Sequence, residues 1–186
     1  MIKSIFGLIP ARGGSKRLPG KNLRPLAGVS LLGRAIRQAA QTLPWSVVST
    51  DDPETIALAN HLGVHTLLRP AYLANDNATT EDVIEHAANT YPMFEWFCLL
   101  QPTSPLRTVE DIRACIELAL SIERPVVSVC NGRRNGAVYV GRTISNEYWL
   151  DAITYEMPPE RSIDIDTIED WREAERIING SEARPV

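Results

Sequence analysis

Residues 5–25, IFGLIPARGGSKRLPGKNLRP, decide how this chain of 186 residues is read. The apolar run Ile5, Phe6, Leu8 and Ile9 breaks at Pro10 into a loop with three glycines and five cations: Arg12, Lys16, Arg17, Lys21 and Arg24. A buried first strand that empties into a basic, glycine-rich loop is how α/β proteins hold a phosphate chain. The glycines let backbone N–H groups approach the oxygens, and Lys or Arg neutralises the charge. The loop nearly matches a Walker A motif, but Gly14 and Gly20 stand one residue too far apart. Asn22 occupies the place of the magnesium-binding Ser or Thr, and Pro25 argues against an immediate helix. The stretch therefore reads as a phosphate loop of another kind, the alternative being a solvated basic surface loop.

The length suits one domain with a single sizeable core, over residues 1–180, followed by a frayed end at 181–186. Apolar content of 44% and charged content of 23% are those of an ordinary globular chain. A net charge of −4 argues against general nucleic-acid binding, so the clustered cations point to one small polyanion. Cys98, Cys115 and Cys130 are odd in number, lack metal spacing and lie in or beside apolar segments, as reduced core cysteines do. With no apolar run approaching a membrane span and no signal-peptide pattern, the expected setting is the cytoplasm, with no membrane partner.

Beyond the loop, strands alternate with helices. Leu31, Leu32, Ala35, Ile36, Ala39 and Leu43 repeat at helical spacing after the N-cap Ser30. Residues 45–50 read as a strand, with Asp52-Pro53 opening a helix to about Leu62 and residues 64–68 forming the next strand. Thr79 and Asp82, Thr108 and Asp111, and Thr167 and Asp170 each have the spacing of a capping box. Strands are expected at 95–100, 125–130 and 136–140, with a tight polar turn over 131–135. This order describes a three-layer α/β/α fold around an open, mostly parallel sheet of Rossmann-like type. In such sheets the ligand binds beyond the carboxyl ends of the strands, where the basic loop, Asp51, Arg69, Gln101 and the pair Asp164/Asp166 all fall.

Asp164 and Asp166 alternate along an extended segment, so both side chains face one way, about 7 Å apart, while Ile163 and Ile165 face the core. Opposite a phosphate loop, such a pair suits Mg²⁺ bridging to phosphates; the alternative is that Asp166 only helps to cap the last helix. The turn Gln101-Pro102-Thr103-Ser104-Pro105 is stiff and polar, suited to hydrogen-bonding a sugar or a base. Arg69 is held extended by Pro70 and can reach a base edge or phosphate. Tyr139 and the pair Tyr148-Trp149 read either as core or as a wall for a substrate. His61, His65 and His86 show no ligand spacing, and no Ser/His/Asp, Cys/His or zinc constellation is present.

Together these stretches resemble the acylneuraminate cytidylyltransferases, the CMP-sialic acid synthetase family. The matching runs, in family order, are ARGGSKRLPGKN, SLLGRAI, VVSTDD, LLRPAYLANDNATT, LLQPTSPLRT, NGAVYV and SIDIDTIED. The resemblance implies a nucleotidyltransferase that moves CMP from CTP to the anomeric hydroxyl of an acidic nonulosonate sugar and releases pyrophosphate. It implies a triphosphate site at Arg12, Ser15, Lys16 and Lys21, and cytidine contacts at Asn22, Arg69, Thr80 and the backbone of residues 8–11 (Leu8, Pro10 and Ala11 among them). Gln101 and Tyr139 match positions facing the acid sugar, Tyr148-Trp149 a paired-aromatic wall there, and Asp164 and Asp166 the magnesium pair. Lys21, Asp166 and Arg12 carry the expected catalytic roles, Asp166 also as an aid to deprotonating the attacking hydroxyl.

One departure is large. Between VVSVC and NGAVYV the family carries several tens of residues, including an arm that reaches into the partner subunit of a dimer. Here only Asn131-Gly132-Arg133-Arg134 stand in that place, with Arg133 or Arg134 in position to replace the family arginine before NGA. The oligomeric state is thereby left open. Two rivals remain at this point: CMP transfer to another acid such as a 3-deoxy-octulosonate, and a non-catalytic nucleotide-binding protein that has lost its acceptor site.

Overall fold

The computed structural model describes residues 4–144 and 148–182. In chain order the elements are β1 (Ile5–Pro10), β2 (Pro25–Leu26), β3 (Val29–Ser30), α1 (Leu31–Thr42), β4 (Ser46–Thr50), α2 (Pro53–His61) and β5 (His65–Leu68). They continue with α3 (Thr80–Thr90), β6 (Trp96–Leu99), α4 (Val109–Ile122), β7 (Val126–Cys130), β8 (Arg133–Arg142), β9 (Ile153–Glu156) and α5 (Ile168–Glu182). Of the expected frayed end, residues 183–186 lie outside the described residues.

The helices begin where their caps dictate. Ser30 Oγ accepts the Gly33 N–H at 3.1 Å, and Asp52 Oδ2 accepts the Thr55 N–H at 2.9 Å with Pro53 in the first turn. Thr79/Asp82 and Thr108/Asp111 close full capping boxes. Thr167 and Asp170 exchange the same two bonds at the start of α5.

Seven strands form one sheet in the order β5-β4-β1-β6-β8-β7-β9, parallel throughout except β8, which runs antiparallel to both β6 and β7. The central β1 and β6 are buried on both faces, which is why they read as unbroken apolar runs. One face packs under α1, α2 and α4 through Ile9, Leu32, Ile36, Val48, Cys98, Ile112 and Val140. The other, through Phe6, Leu8, Phe97 and Leu99, packs under Ile84 and Ala87 of α3 and under Tyr148. The three-layer α/β/α expectation holds. The last helix, α5, is set apart: Trp171, Ala174 and Ile178 pack on Leu18, Leu26, Leu31 and Ile165, beside the basic loop.

Three local features differ from the sequence expectation. β8 starts at Arg133, not at Gly136, because Asn131 (φ 52°) and Gly132 (φ 71°) both adopt the left-handed conformation. Two such residues make the two-residue turn whose twist matches antiparallel strands, and Cys130 pairs directly with Arg133. A short hairpin, β2–β3, turns on Ala27 and Gly28 in the same way and precedes α1. β9 adds a four-residue edge strand parallel to β7. No helix among the described residues is long and apolar enough to cross a membrane.

Candidate active site

The basic loop is anchored rather than free. Leu18 is buried against α5, the Ala11 N–H donates to Ser49 O at 2.9 Å, and the Gly13 N–H donates to Asp51 Oδ1 at 2.9 Å. Asn22, itself buried, donates from Nδ2 to Arg12 O at 3.2 Å, and its own carbonyl accepts the Leu32 N–H. Arg24 lies over the Trp171 ring at 4.7 Å. These ties turn the remaining cations toward a cleft of about 560 Å³, a volume in the range of nucleotide and cofactor sites.

The far wall of that cleft comes from the segment that leads into α5. The Ile165 N–H donates to Thr103 O at 2.7 Å, which fixes the segment against the Gln101–Pro105 turn. Lys21 Nζ crosses the cleft to donate to Ile165 O at 2.7 Å and to Asp166 Oδ1 at 2.8 Å, and Arg17 pairs with Asp166 Oδ2 at 2.8 Å. Burial, only partly offset by a hydrogen bond from the Thr103 side chain, and the neighbouring Asp166 push the Asp164 carboxyl above the usual aspartate range.

Arg69 forms part of a side wall. It is buried, donating from Nε to Ser49 Oγ at 3.3 Å and from Nη2 to Ser49 O at 3.0 Å. Burial lowers its pKa, Asp51 opposes the shift, and Arg12 adds to it. Thr79 and Thr80 bring the start of α3 to the cleft, with Asn75 and Asp76 from the preceding loop. Asp76 Oδ1 accepts from Arg12 Nη2 at 2.8 Å, and its other oxygen pairs with Lys16 Nζ. The lining thus carries five cations (Arg12, Lys16, Arg17, Lys21 and Arg69) against three carboxylates (Asp76, Asp164 and Asp166). A surplus of positive charge in a chain of net charge −4 is a local field for a polyanion.

Among the residues singled out from sequence, Pro10, Arg12, Ser15, Lys16, Lys21, Asn22, Arg69, Thr80, Gln101, Asp164 and Asp166 all line this cleft. Leu8 and Ala11 do not: both are fully buried, and Leu8 O accepts the Leu100 N–H within the sheet. Tyr139, Tyr148, Trp149 and Arg133 are not among the lining residues; the three aromatics form a group of their own, with Tyr139 and Trp149 ring centres 5.2 Å apart. Trp149 Nε1 donates to Glu81 Oε1 at 2.7 Å. The Tyr139 hydroxyl accepts the Gly136 N–H at 3.2 Å, and Gly136 lies directly under the Gln101 side chain. Arg133 is exposed on the hairpin, whereas Arg134 lies 6.0 Å over the Trp149 ring.

Arg17 and Thr103 fall within the basic loop and the polar turn read from the sequence, whereas Asp76 and the buried Arg107 were given no role there. Asp76 looks like any residue of a polar loop. Arg107 Nη1 donates to Gln101 O at 2.6 Å and to Ala137 O at 3.1 Å, while Nε and Nη2 have no hydrogen-bond partner among the described residues. Burial drops its pKa to about 10. It ties the Gln101 turn to β8 from beneath.

Residues 6–133 match the family model described as cytidylyltransferase. The chain belongs to the cytidylyltransferase family. It is 38% identical over 138 residues to the N-acylneuraminate cytidylyltransferase of Escherichia coli O18:K1:H7, covering 72% of this chain and 33% of that protein. It is 32% identical to the CMP-N,N'-diacetyllegionaminic acid synthase of Legionella pneumophila, over 94% of this chain and 96% of that protein. That alignment runs to 222 positions against 186 residues here, so the Legionella protein carries segments that this cytidylyltransferase-family chain lacks. The chain spans about a third of the Escherichia coli protein and about half of the N-acylneuraminate cytidylyltransferases of Oncorhynchus mykiss and Danio rerio that it also matches. Its fold is similar to that of a CMP:2-keto-3-deoxy-manno-octonic acid synthetase complexed with CTP, with a TM-score of 0.79 at 16% identity, covering 96% and 100% of the two chains.

Proposed function

We propose that residues 1–180 form a cytidylyltransferase domain that transfers CMP from CTP to the anomeric hydroxyl of an acidic nonulosonate sugar, with release of pyrophosphate. The observation that carries this reading is the Lys21 ammonium, bonded across the cleft to Ile165 O and Asp166: the basic loop and the late aspartates share one hollow. The family match and the relatives named for N-acylneuraminate and diacetyllegionaminic acid support the donor and the class of acceptor.

In this reading Arg12, Ser15, Lys16 and Lys21 hold the triphosphate, and Asn22, Arg69, Thr80 and the backbone at Pro10 hold the cytidine. The acceptor is placed over Gln101, with Tyr139, Tyr148 and Trp149 as its outer wall and an arginine of the hairpin, Arg133 or Arg134, toward its carboxylate. The anomeric oxygen attacks the α-phosphorus opposite the pyrophosphate; the new P–O bond forms as the bond to pyrophosphate breaks. Arg12, Lys16 and Lys21 offset the charge that collects on the departing group. Asp166 is assigned to accept the hydroxyl proton.

Asp164 and Asp166 fit a hard divalent cation. Their pair is partly buried, and Asp164 is pushed up by burial and by Asp166, a cost that a cation relieves. Mg²⁺ characteristically takes one or two carboxylates and completes its shell with water and phosphate oxygens. When bound it supplies charge neutralisation at the phosphates. The buried Cys98 thiol, pushed up to about 12 by burial, and the free Cys115 and Cys130 fit a reducing, cytoplasmic setting.

The test is pyrophosphate release by the full chain with CTP and Mg²⁺ across a panel of keto-acid sugars, with ATP, GTP and UTP as controls. Release confined to CTP and a nonulosonate is expected. Turnover only with a 3-deoxy-octulosonate would move the acceptor assignment, and no release with any acid would leave a nucleotide binder.

A further inference from the structure

Asp76 reaches the basic loop from the loop before α3 and takes two of its cations, Arg12 at 2.8 Å and Lys16. These are the cations assigned above to the triphosphate. The Asp76 carboxylate does not build its own loop. Asn75 does that, donating from Nδ2 to Tyr72 O at 2.7 Å and accepting the Asn77 and Ala78 N–H groups on Oδ1, while Thr79 and Asp82 open α3. Lys16 first, then Arg12, holds the Asp76 carboxyl below the usual range, so it is charged wherever the protein is folded near neutral pH. On the other flank Asp166 occupies Arg17 and Lys21 in the same manner. Four of the five lining cations are therefore already matched to two carboxylates. Phosphate oxygens that bind Arg12 and Lys16 compete with Asp76 for their charge and for the N–H groups it holds.

We infer that Asp76 is a counter-ion that exchanges with the phosphates of the ligand: it holds Arg12 and Lys16 in the empty site, yields them to the triphosphate, and takes them back as pyrophosphate leaves. The inference rests on the reading of the cleft as a nucleotide site. Asp76 thus weakens polyphosphate binding and favours release. An exposed ion pair is worth a factor of roughly 1.4 to 5 in an equilibrium constant, so two pairs broken together amount to roughly 2- to 30-fold.

The experiment compares the full-length wild type with Asp76→Asn and Asp76→Glu, by calorimetric titration with CTP, inorganic pyrophosphate and cytidine. Asp76→Asn is expected to bind CTP and pyrophosphate roughly 2- to 30-fold more tightly. Cytidine, which has no phosphate, should bind as before, and Asp76→Glu should stay close to the wild type. Unchanged or weakened pyrophosphate and CTP binding in Asp76→Asn, with wild type binding both, overturns the exchange. Equal tightening of cytidine overturns it too, since that would report a reshaped loop. A wild type that binds neither CTP nor pyrophosphate overturns the nucleotide site itself.

Discussion

Replacing Lys21 by Met keeps an unbranched stem of similar length and deletes only the ammonium. That ammonium makes two bonds, to Ile165 O at 2.7 Å and to Asp166 Oδ1 at 2.8 Å, on a side chain only 12% exposed. Bonds that involve a charged group contribute about 1.5–3 kcal/mol each. The Asp166 bond belongs at the low end, because that carboxylate is a third exposed and keeps Arg17 at 2.8 Å. A loss of about 3–4.5 kcal/mol then follows, which in a domain of this size lowers the melting temperature by roughly 6–18 °C. For CTP, the loss of one charged phosphate contact corresponds to roughly 10- to 150-fold weaker binding. Scanning fluorimetry and calorimetric titration of Lys21→Met read the two effects separately. An unshifted melt with unchanged CTP affinity would refute both the cross-cleft tie and the placement of the triphosphate.

Asp166→Ala should abolish pyrophosphate release while CTP binding without metal holds or tightens, since Arg17 and Lys21 lose a competing carboxylate; normal turnover would count against the metal assignment. Gly136→Ala places a Cβ 2.6 Å from Gln101 Oε1 at a φ of 72°, so the acceptor KM should rise with CTP affinity retained, and an unaltered acceptor KM would remove Gln101 from that role. Asp82→Ala breaks the α3 capping box, whose Thr79 N–H and hydroxyl hold the Asp82 carboxyl below its ordinary 3.8. A lowered folded pKa means a contribution present above the unfolded value and lost as pH falls through the folded one. The variant should therefore melt lower than wild type at pH 7, with the gap closing in acid; a gap that does not change with pH would assign the loss to something other than the charge.

Much of the architecture was legible because local and global signals agree. Apolar runs at 5–9 and 96–99 are strands buried on both faces, and each expected cap residue starts its helix. The late aspartates were visible for a similar reason: Ile163 and Ile165 alternate with them and anchor the segment on α5. What escaped notice has no local signature. The four residues of β9 are too few to show a period, and nothing in GAVYV tells a parallel strand from the antiparallel one that β8 is. Arg107 is charged and lies just before a helix cap, a context that reads as surface, yet the fold buries it under the Gln101 turn. Asp76 acquires meaning only from Arg12 and Lys16, some sixty residues earlier in the chain.

Because β8 runs against its neighbours, its first residues emerge at the same rim as the last residues of β7, and the Asn131-Gly132 turn stands on the ligand side of the sheet. The pairing of Cys130 with Arg133 closes the β7–β8 ladder at this turn. Chain entropy resists an insertion there only mildly, at about 0.6 kcal/mol for each doubling of the connection. A two-residue link and a longer excursion at this turn thus differ little in chain entropy. If the proposed reading holds, that turn is the place to graft a roof for a different acceptor.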